Sequence, residues 1–274
     1  MNAHIKRLDL SYCRGITTAG WRALFELLQS PNCALEELSL YDNRFNAETV
    51  SFLANALVNN NRLRELDLRL NLNVSSNGWE ALSVVLQSPN SALEKLNLRR
   101  NTINDDTVIS LANSLANNNT LKELLFTFNE EHSDDDSDDL VSYITDASGW
   151  TAFSRILCNT SSIMDTYRSN HTLQRLTDDD DEVRLPEDLN SMLHLNREKG
   201  KRQAARLKII RTHFPGGFVV EPFVGMDLNV LPHAIAWMGR DGADEVDEHL
   251  YGFLRIMPSL FDVDHSANRM EEDL

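Results

Sequence analysis

The chain has few cysteines and no long apolar run, and both shortages narrow its class. Cys13, Cys33 and Cys158 are its cysteines, and their separation matches neither a metal-binding nor a redox motif. Such usage points to a reducing compartment, the cytoplasm or the nucleus. Asn-x-Ser/Thr triplets such as Asn73-Val74-Ser75 then carry no sugar. No early apolar stretch resembles a signal peptide, and none is long enough to span a bilayer. Enzyme signatures are missing as well. There is no phosphate-binding Gly loop, no Gly-x-Ser-x-Gly, and no pair of histidines four apart with an acid between them. His4, His132, His171, His194, His213, His233, His249 and His265 lie scattered without ligand spacing. Asp178 to Glu182 lacks the glycine that a calcium loop needs at its bend. The expectation is a protein that is not an enzyme and holds no metal or cofactor.

What is present is acidity, placed unevenly. Glu130 to Asp139 holds seven acids, Asp178 to Glu182 five, and 262–274 nets −4, together the whole of the chain's −16. Acidic loops solvate a protein and keep it soluble; they also repel nucleic acid or capture a basic partner. At 274 residues, with 42% hydrophobic and 25% charged content, the chain suffices for one elongated domain or two compact ones.

The clearest signal is repetition. Leu93-Glu94-Lys95-Leu96-Asn97-Leu98-Arg99-Arg100-Asn101 has counterparts at Ile5 to Cys13, Leu35 to Asn43, Leu63 to Asn71 and Leu121 to Asn129. All read L-x-x-L-x-L-x-x-N, with single substitutions by Ile, Cys or Phe. First positions advance by 30, 28, 30 and 28 residues, so two alternating repeat types make a 58-residue super-period. One type carries Gly20-Trp21-Arg22-Ala23-Leu24 and Gly78-Trp79-Glu80-Ala81-Leu82, each followed by Leu-Gln-Ser-Pro-Asn; the other carries Glu48-Thr49-Val50 and Asp106-Thr107-Val108, then Leu-Ala-Asn-x-Leu and a run of asparagines. Apolar residues three and four apart between the copies predict an amphipathic helix of about three turns in each. Helices so short are marginal alone, so each must lie over its strand and its neighbours.

This pattern, from Ile5 to Leu176, resembles the leucine-rich repeat, and its long period resembles the ribonuclease-inhibitor subfamily. The resemblance implies an α/β fold, a right-handed βα solenoid bent into a horseshoe, with a concave parallel sheet that binds proteins. Leu96 and Leu98 would then point into the core while Lys95, Asn97 and Arg99 face outward. The closing Asn of each copy is expected to hydrogen-bond neighbouring backbone where the chain leaves the strand, with Cys13 as a substitute in the first copy. Trp21, Trp79 and Trp150 belong to the helix packing.

Beyond Asn129 the period predicts an insertion at 130–142, looped out before the next first-type helix at Gly149-Trp150. Counting fifteen residues from Gly149 predicts a sixth, degenerate strand at Met164 to Tyr167, and Asn170 to Leu176 reads as a short last strand. The solenoid is thus assigned to 1–176, an acidic linker to 177–184, a helical C-terminal cap to 185–261 and an acidic disordered tail to 262–274. In the cap, Pro186 starts a helix running to about Phe214, with further helices from Asp227 to Met238 and Val246 to Met257. Leu231 to Trp237 and Met257 to Phe261 are similar to the tail of diatom-type leucine-rich repeat proteins. The first strand starts at Ile5 without a polar cap, so its open end calls for cover by preceding chain or by another molecule.

The outward residues form three columns, Arg7, Glu37, Glu65, Lys95 and Glu123; Asp9, Ser39, Asp67, Asn97 and Leu125; Ser11, Tyr41, Arg69, Arg99 and Thr127. Signs mostly complement each other in the first, so those charges satisfy one another. Arg69 and Arg99 instead stand as neighbouring like charges beside Tyr41, with Asp67 to offset part of the repulsion. Tyr and Arg are enriched in binding hot spots. Tyr41, Arg69 and Arg99, with Asp67, Asn97 and Leu125, are the candidate partner-binding residues. The bland alternative is exposed sheet charge, and for Leu125 cover by the acidic insertion. Arg197 to Arg211 is basic, but pairing with Asp178 to Glu182 or plain solvation accounts for it better than nucleic acid.

Six strands would span about 29 Å, enough for roughly 800 Å² of interface per partner. The expected function is a protein-interaction scaffold. The alternatives are an enzyme regulator, acting as inhibitor or small-GTPase activator, and the sensor end of a larger multidomain receptor.

Overall fold

A computed structural model describes residues 5–126, 147–176 and 185–213. Five short strands alternate with helices. They are β1 (Arg7–Asp9), β2 (Glu37–Ser39), β3 (Glu65–Asp67), β4 (Lys95–Asn97) and β5 (Glu123–Leu125). Between them lie α1 (Thr18–Leu28), α2 (Ala47–Leu57), α3 (Ser76–Glu80) with α4 (Leu82–Gln87), and α5 (Asp105–Ser114). After β5 come α6 (Ala147–Leu157), α7 (Ile163–Arg168), α8 (Glu187–Glu198) and α9 (Lys201–His213). The strands form one parallel sheet in sequence order, an arrangement compatible with a βα repeat fold. The chain divides into two compact units, Met1–Ala205 and Arg206–Leu274. The first carries every described strand; of the second, 206–213 are described.

The spacing of the motif sets the register. Leu8, Leu38, Leu66, Leu96 and Leu124 stand side by side across the sheet. The last four are buried, while Leu8, in the outermost strand, is only partly so. With the helices they make one apolar core that takes in Trp21, Phe25, Phe45 and Trp79, with Trp150 packed against it. Burying a leucine side chain is worth about 2 kcal/mol, so the repeated leucines are the main reason these three-residue strands persist.

Two asparagine ladders tie the repeats together. At the strand exits, Asn71 Nδ2 donates to the carbonyls of Leu40 and Leu68, and its Oδ1 accepts from the N–H groups of Asn43 and Phe45. Asn101 repeats this one strand on, donating to Leu68 and Leu98 and accepting from Asn71 N–H. The ladder stops at Cys13, for Asn43 donates to the Leu10 carbonyl while its buried Oδ1 has no hydrogen-bond partner. At the helix ends, Asn60 and Asn118 donate to the carbonyls of Leu28 and Leu86 and accept the N–H groups that lead into the next strand. Asparagine suits both places because one amide carries donor and acceptor together. Helix starts are repeated too: Asn46 and Asn104 cap α2 and α5 by accepting from Thr49 and Thr107 N–H.

Three expectations need correction. Met164 to Tyr167 lie in helix α7, not in a strand. Ser162 caps it by accepting from Asp165 N–H, and Asp165 and Arg168 suit its two ends. Local capping therefore overrides the count of fifteen. Parallel pairing resumes only at Arg175, an isolated bridge to Glu123 within Asn170 to Leu176. The single helix from Pro186 is two helices, since Lys199 turns extended and Gly200 follows. The first-type helix of the third repeat is likewise split at Ala81. The acidic insertion, the linker, the tail, and Asp227 to Met238 and Val246 to Met257 lie outside the described residues.

Candidate functional site

The parallel ladder continues past the strand ends and keeps the third column in line. Tyr12 N–H donates to the Tyr41 carbonyl at 2.9 Å, Asp42 N–H to Arg69 at 2.9 Å, and Leu70 N–H to Arg99 at 3.4 Å. Tyr41, Arg69 and Arg99 are therefore neighbours on adjacent chain segments, as their spacing predicts. Thr127 lies outside the described residues.

Within that row the side chains are organised. The Arg69 guanidinium carbon sits 5.2 Å from the centre of the Tyr41 ring, within reach of a cation–π attraction. Tyr41 in turn meets Tyr12 edge to face, with centroids 5.0 Å apart and planes at 73°. Tyr12 is 63% exposed and was not among the sequence candidates. Its signal lay in the repeat itself: it occupies the eighth motif position, where Tyr12, Asp42, Leu70 and Arg100 all take positive φ, 53° to 61°. That left-handed turn swings the side chain out beside the row. The adjoining Tyr41 side chain, then burial and the charge of Asp42, push the Tyr12 phenol above its ordinary pKa, so Tyr12 is neutral at pH 7. Arg14 pairs with Asp42 at the rim.

The second column has a different job. Asp67 Oδ1 accepts from Arg69 N–H at 3.0 Å, and the carboxylate also holds the guanidinium, Nη2 to Oδ2 at 2.6 Å. Asn97 Oδ1 accepts from Arg99 N–H at 3.2 Å, and Asp9 from Ser11 N–H at 2.9 Å. These residues shape the turn that presents the third column, and Asp67 offsets the Arg69–Arg99 repulsion. Asn97 is largely buried and Leu125 is 2% exposed. Leu125 is therefore corrected from an outward contact to a covered one, because an apolar side chain in that column gains by leaving water.

Cross-strand pairing accounts for much of the remaining charge. In the first column Arg7 binds Glu37 at 2.8 Å, and Glu123 lies 3.3 Å from Lys95 and 3.4 Å from Arg175. A further alternation that sequence reading missed runs through Lys6, Glu36, Arg64, Glu94 and Lys122. Lys6 pairs with Glu36 at 2.9 Å, and Glu94 takes both Arg64 and Lys122. Lys122, then Arg64, holds the Glu94 carboxyl below the usual range; Lys6 does the same for Glu36. A depression of 560 Å³ is lined by Asp9, Ser11, Tyr12, Ser39, Tyr41 and Arg69. It offers aromatic faces, one guanidinium and hydroxyls, a set suited to a peptide or protein side chain. Among the described residues no cluster of His, Cys, Asp and Glu is placed to hold a metal ion, and no helix is long and apolar enough to cross a membrane. None of the three cysteines forms a disulfide.

No family model matches the chain. It is 32% identical over 121 residues to NACHT, LRR and PYD domains-containing protein 13 of Homo sapiens, which is 44% of this chain and 11% of that protein. Similar matches are to protein 14 of the same series in Mus musculus, 37% over 97 residues (35% of this chain, 10% of that one), and protein 1a allele 1 in Rattus norvegicus, 33% over 108 residues (39% and 9%). The chain thus spans about a tenth of the length of these curated relatives. Among solved structures it is similar to leiomodin-1 actin-binding site 2, with a TM-score of 0.48 and 18% identity over 70% of this chain and 95% of that one. The Caenorhabditis elegans tropomodulin C-terminal domain gives 0.47 and 16%, over 65% and 93%.

Proposed function

We propose that this chain is a leucine-rich repeat horseshoe of the ribonuclease-inhibitor type whose concave sheet binds a protein partner without catalysing a reaction. The alternating steps of 30 and 28 residues, the in-register parallel strands and relatives whose names carry leucine-rich repeats support this reading. One observation carries the site, namely the row in which Tyr12 meets Tyr41 edge to face and Arg69 lies over the Tyr41 ring. Aromatic and guanidinium groups held rigidly in this way contribute binding energy with little loss of side-chain freedom. Arg99 extends the row, and Asp67 and Asn97 act as its supports. The partner is a protein rather than nucleic acid, which a chain of net charge −16 repels. A reducing compartment, cytoplasm or nucleus, fits cysteines that form no disulfide.

The names of the relatives favour a second reading, in which the chain serves as the sensor end of a larger receptor. Regulation of an enzyme, as an inhibitor or a small-GTPase activator, is the other alternative, and a changed enzymatic rate on binding would select it.

The test is affinity capture from lysate of the source cell, comparing the chain with a Tyr41→Ala, Arg69→Glu, Arg99→Glu variant of unchanged melting temperature. A partner retained by the first and lost by the second supports the sheet-face site. Equal retention of the same proteins refutes it and moves attention to the acidic insertion and the C-terminal region.

A further inference from the structure

In a chain of net charge −16, one small cavity gathers cations from separate segments. It has a volume of about 210 Å³, lies between the loop after α5, the end of α7 and the start of α9, and is lined by Arg168, His171 and Lys201. No acidic side chain stands among its described lining residues. The acids nearest in sequence are engaged elsewhere: Asp165 accepts from Ser162 Oγ at 2.7 Å, and Glu198 lies 3.6 Å from Arg197. Helix α9 also begins with no acid in its first turn.

The cavity wall is a continuation of the helix-end asparagine ladder. Asn170 Nδ2 donates to the carbonyls of Leu115 and Asn118 at 2.8 and 3.0 Å, and Asn196 Nδ2 to those of Asn170 and Leu173 at 3.3 and 2.7 Å. Asn118, Asn170 and Asn196 are all buried, so this frame is fixed. On it, Lys201 is set by donating from Nζ to the Asn119 carbonyl at 2.8 Å, and His171 by donating from Nε2 to the Tyr167 carbonyl at 3.0 Å. The Lys201 ammonium has three donors, of which that bond uses one. Arg168 is exposed and forms no ion pair or side-chain hydrogen bond among the described residues.

We propose that this cavity binds a phosphate monoester. Such a group carries about −1.5 to −2 at pH 7 and offers three acceptor oxygens. The Arg168 guanidinium meets two of them as a fork, Lys201 adds a point charge, and the side-chain amides of Asn117 and Asn119 supply neutral donors at the lining. A carboxylate, with one charge and two oxygens, leaves a cation unanswered. The volume falls below the roughly 300 Å³ at which pockets enclose whole small molecules, so the cavity holds the phosphate and not all of what bears it. The bearer is a phosphorylated side chain of a protein or a small free phosphate. Asn118 leads into a strand, whereas the Tyr12–Tyr41–Arg69 row follows the strand ends; the two sites are separate and are tested separately.

The experiment is titration calorimetry of the full chain at pH 7, in buffer free of phosphate and sulfate. The probes are inorganic phosphate, acetate, a phosphoserine peptide and the same peptide unphosphorylated. Inorganic phosphate should bind with Kd on the order of 1 mM. Arg168→Gln and Lys201→Gln should each weaken it about fivefold, and together should abolish it. Arg168 makes no bond within the described chain, so its replacement leaves the fold intact. Arg202→Gln removes the same charge beside Lys201 but outside the lining, and should change affinity by less than about twofold. A phosphopeptide that binds about tenfold tighter than phosphate assigns the bearer as a protein, and one that binds no tighter assigns a small free phosphate; either supports the site. Absence of phosphate binding up to about 20 mM overturns the proposal, as does acetate or the unphosphorylated peptide binding equally well. An equal loss with Arg202→Gln shows general charge attraction and overturns it too.

Discussion

Replacing Asn71 by alanine should cost far more stability than replacing Asn43, although both end the same repeat motif. Asn71 is fully buried. Its Oδ1 accepts from Asn43 N–H at 3.1 Å and Phe45 N–H at 3.2 Å; its Nδ2 donates to Leu40 at 3.1 Å and Leu68 at 3.0 Å. Alanine strands two buried N–H groups, each worth about 1–3 kcal/mol, and takes a donor from the Leu40 and Leu68 carbonyls, of which Leu68 keeps Asn101. The sum is about 4 kcal/mol. Asn43 donates to Leu10 at 2.9 Å but carries an unpartnered Oδ1, so its removal deletes one useful bond and one desolvated acceptor, about 1 kcal/mol or less. The difference, about 3 kcal/mol, is readable from urea unfolding followed by circular dichroism, as a shift in midpoint at unchanged slope. In melting temperature it corresponds to roughly 6–12 °C for a unit of this size. Equal costs, or a larger cost at Asn43, would refute the claim that the ladder's satisfied acceptors hold the repeats together.

Glycines at matching repeat positions should differ in the same manner. A Cβ on Gly78 would meet the Ala47 Cα and the buried Val74 Cγ1 at 2.7 Å, whereas on Gly20 the tight neighbour is the Cγ2 methyl of the exposed Ile16 side chain at 2.9 Å. Gly78→Ala should therefore cost about 1–3 kcal/mol, while Gly20→Ala should be near neutral because helix propensity returns about 1 kcal/mol; thermal melts of the two variants check this. Acid should also reveal the paired carboxylate at Glu94. Its folded pKa is depressed by Lys122 and Arg64, so it adds stability at pH above the ordinary glutamate value, about 4.3, and that contribution is lost as pH falls through the folded value. Glu94→Gln should flatten the acid limb of a stability profile below about pH 4; an unchanged limb would show that the pair is electrostatically idle.

The period of the motif was sufficient to determine, from sequence alone, which residues point to the core side of the sheet, which stand side by side across the strands, and where the asparagines lie. A strand alternates with period two and a ladder needs one residue per repeat, so equal spacing translates directly into register. Arg69 and Arg99 could be placed beside Tyr41 on that ground, and Asp67 beside Arg69. Where one position has two competing solutions, spacing could not choose between them. At Met164 a capped helix wins over the strand that counting required, because Ser162 and Asp165 satisfy the backbone locally. At Lys199 the chain leaves the helix despite helical spacing on both sides. Exposure was beyond sequence reading as well. Leu125 sits in an outward column yet is covered, and Tyr12 emerges from a left-handed turn to join the row. Period fixes direction relative to the sheet, whereas burial and the neighbours of a side chain depend on what the rest of the chain lays over it, and only the tertiary structure decides that.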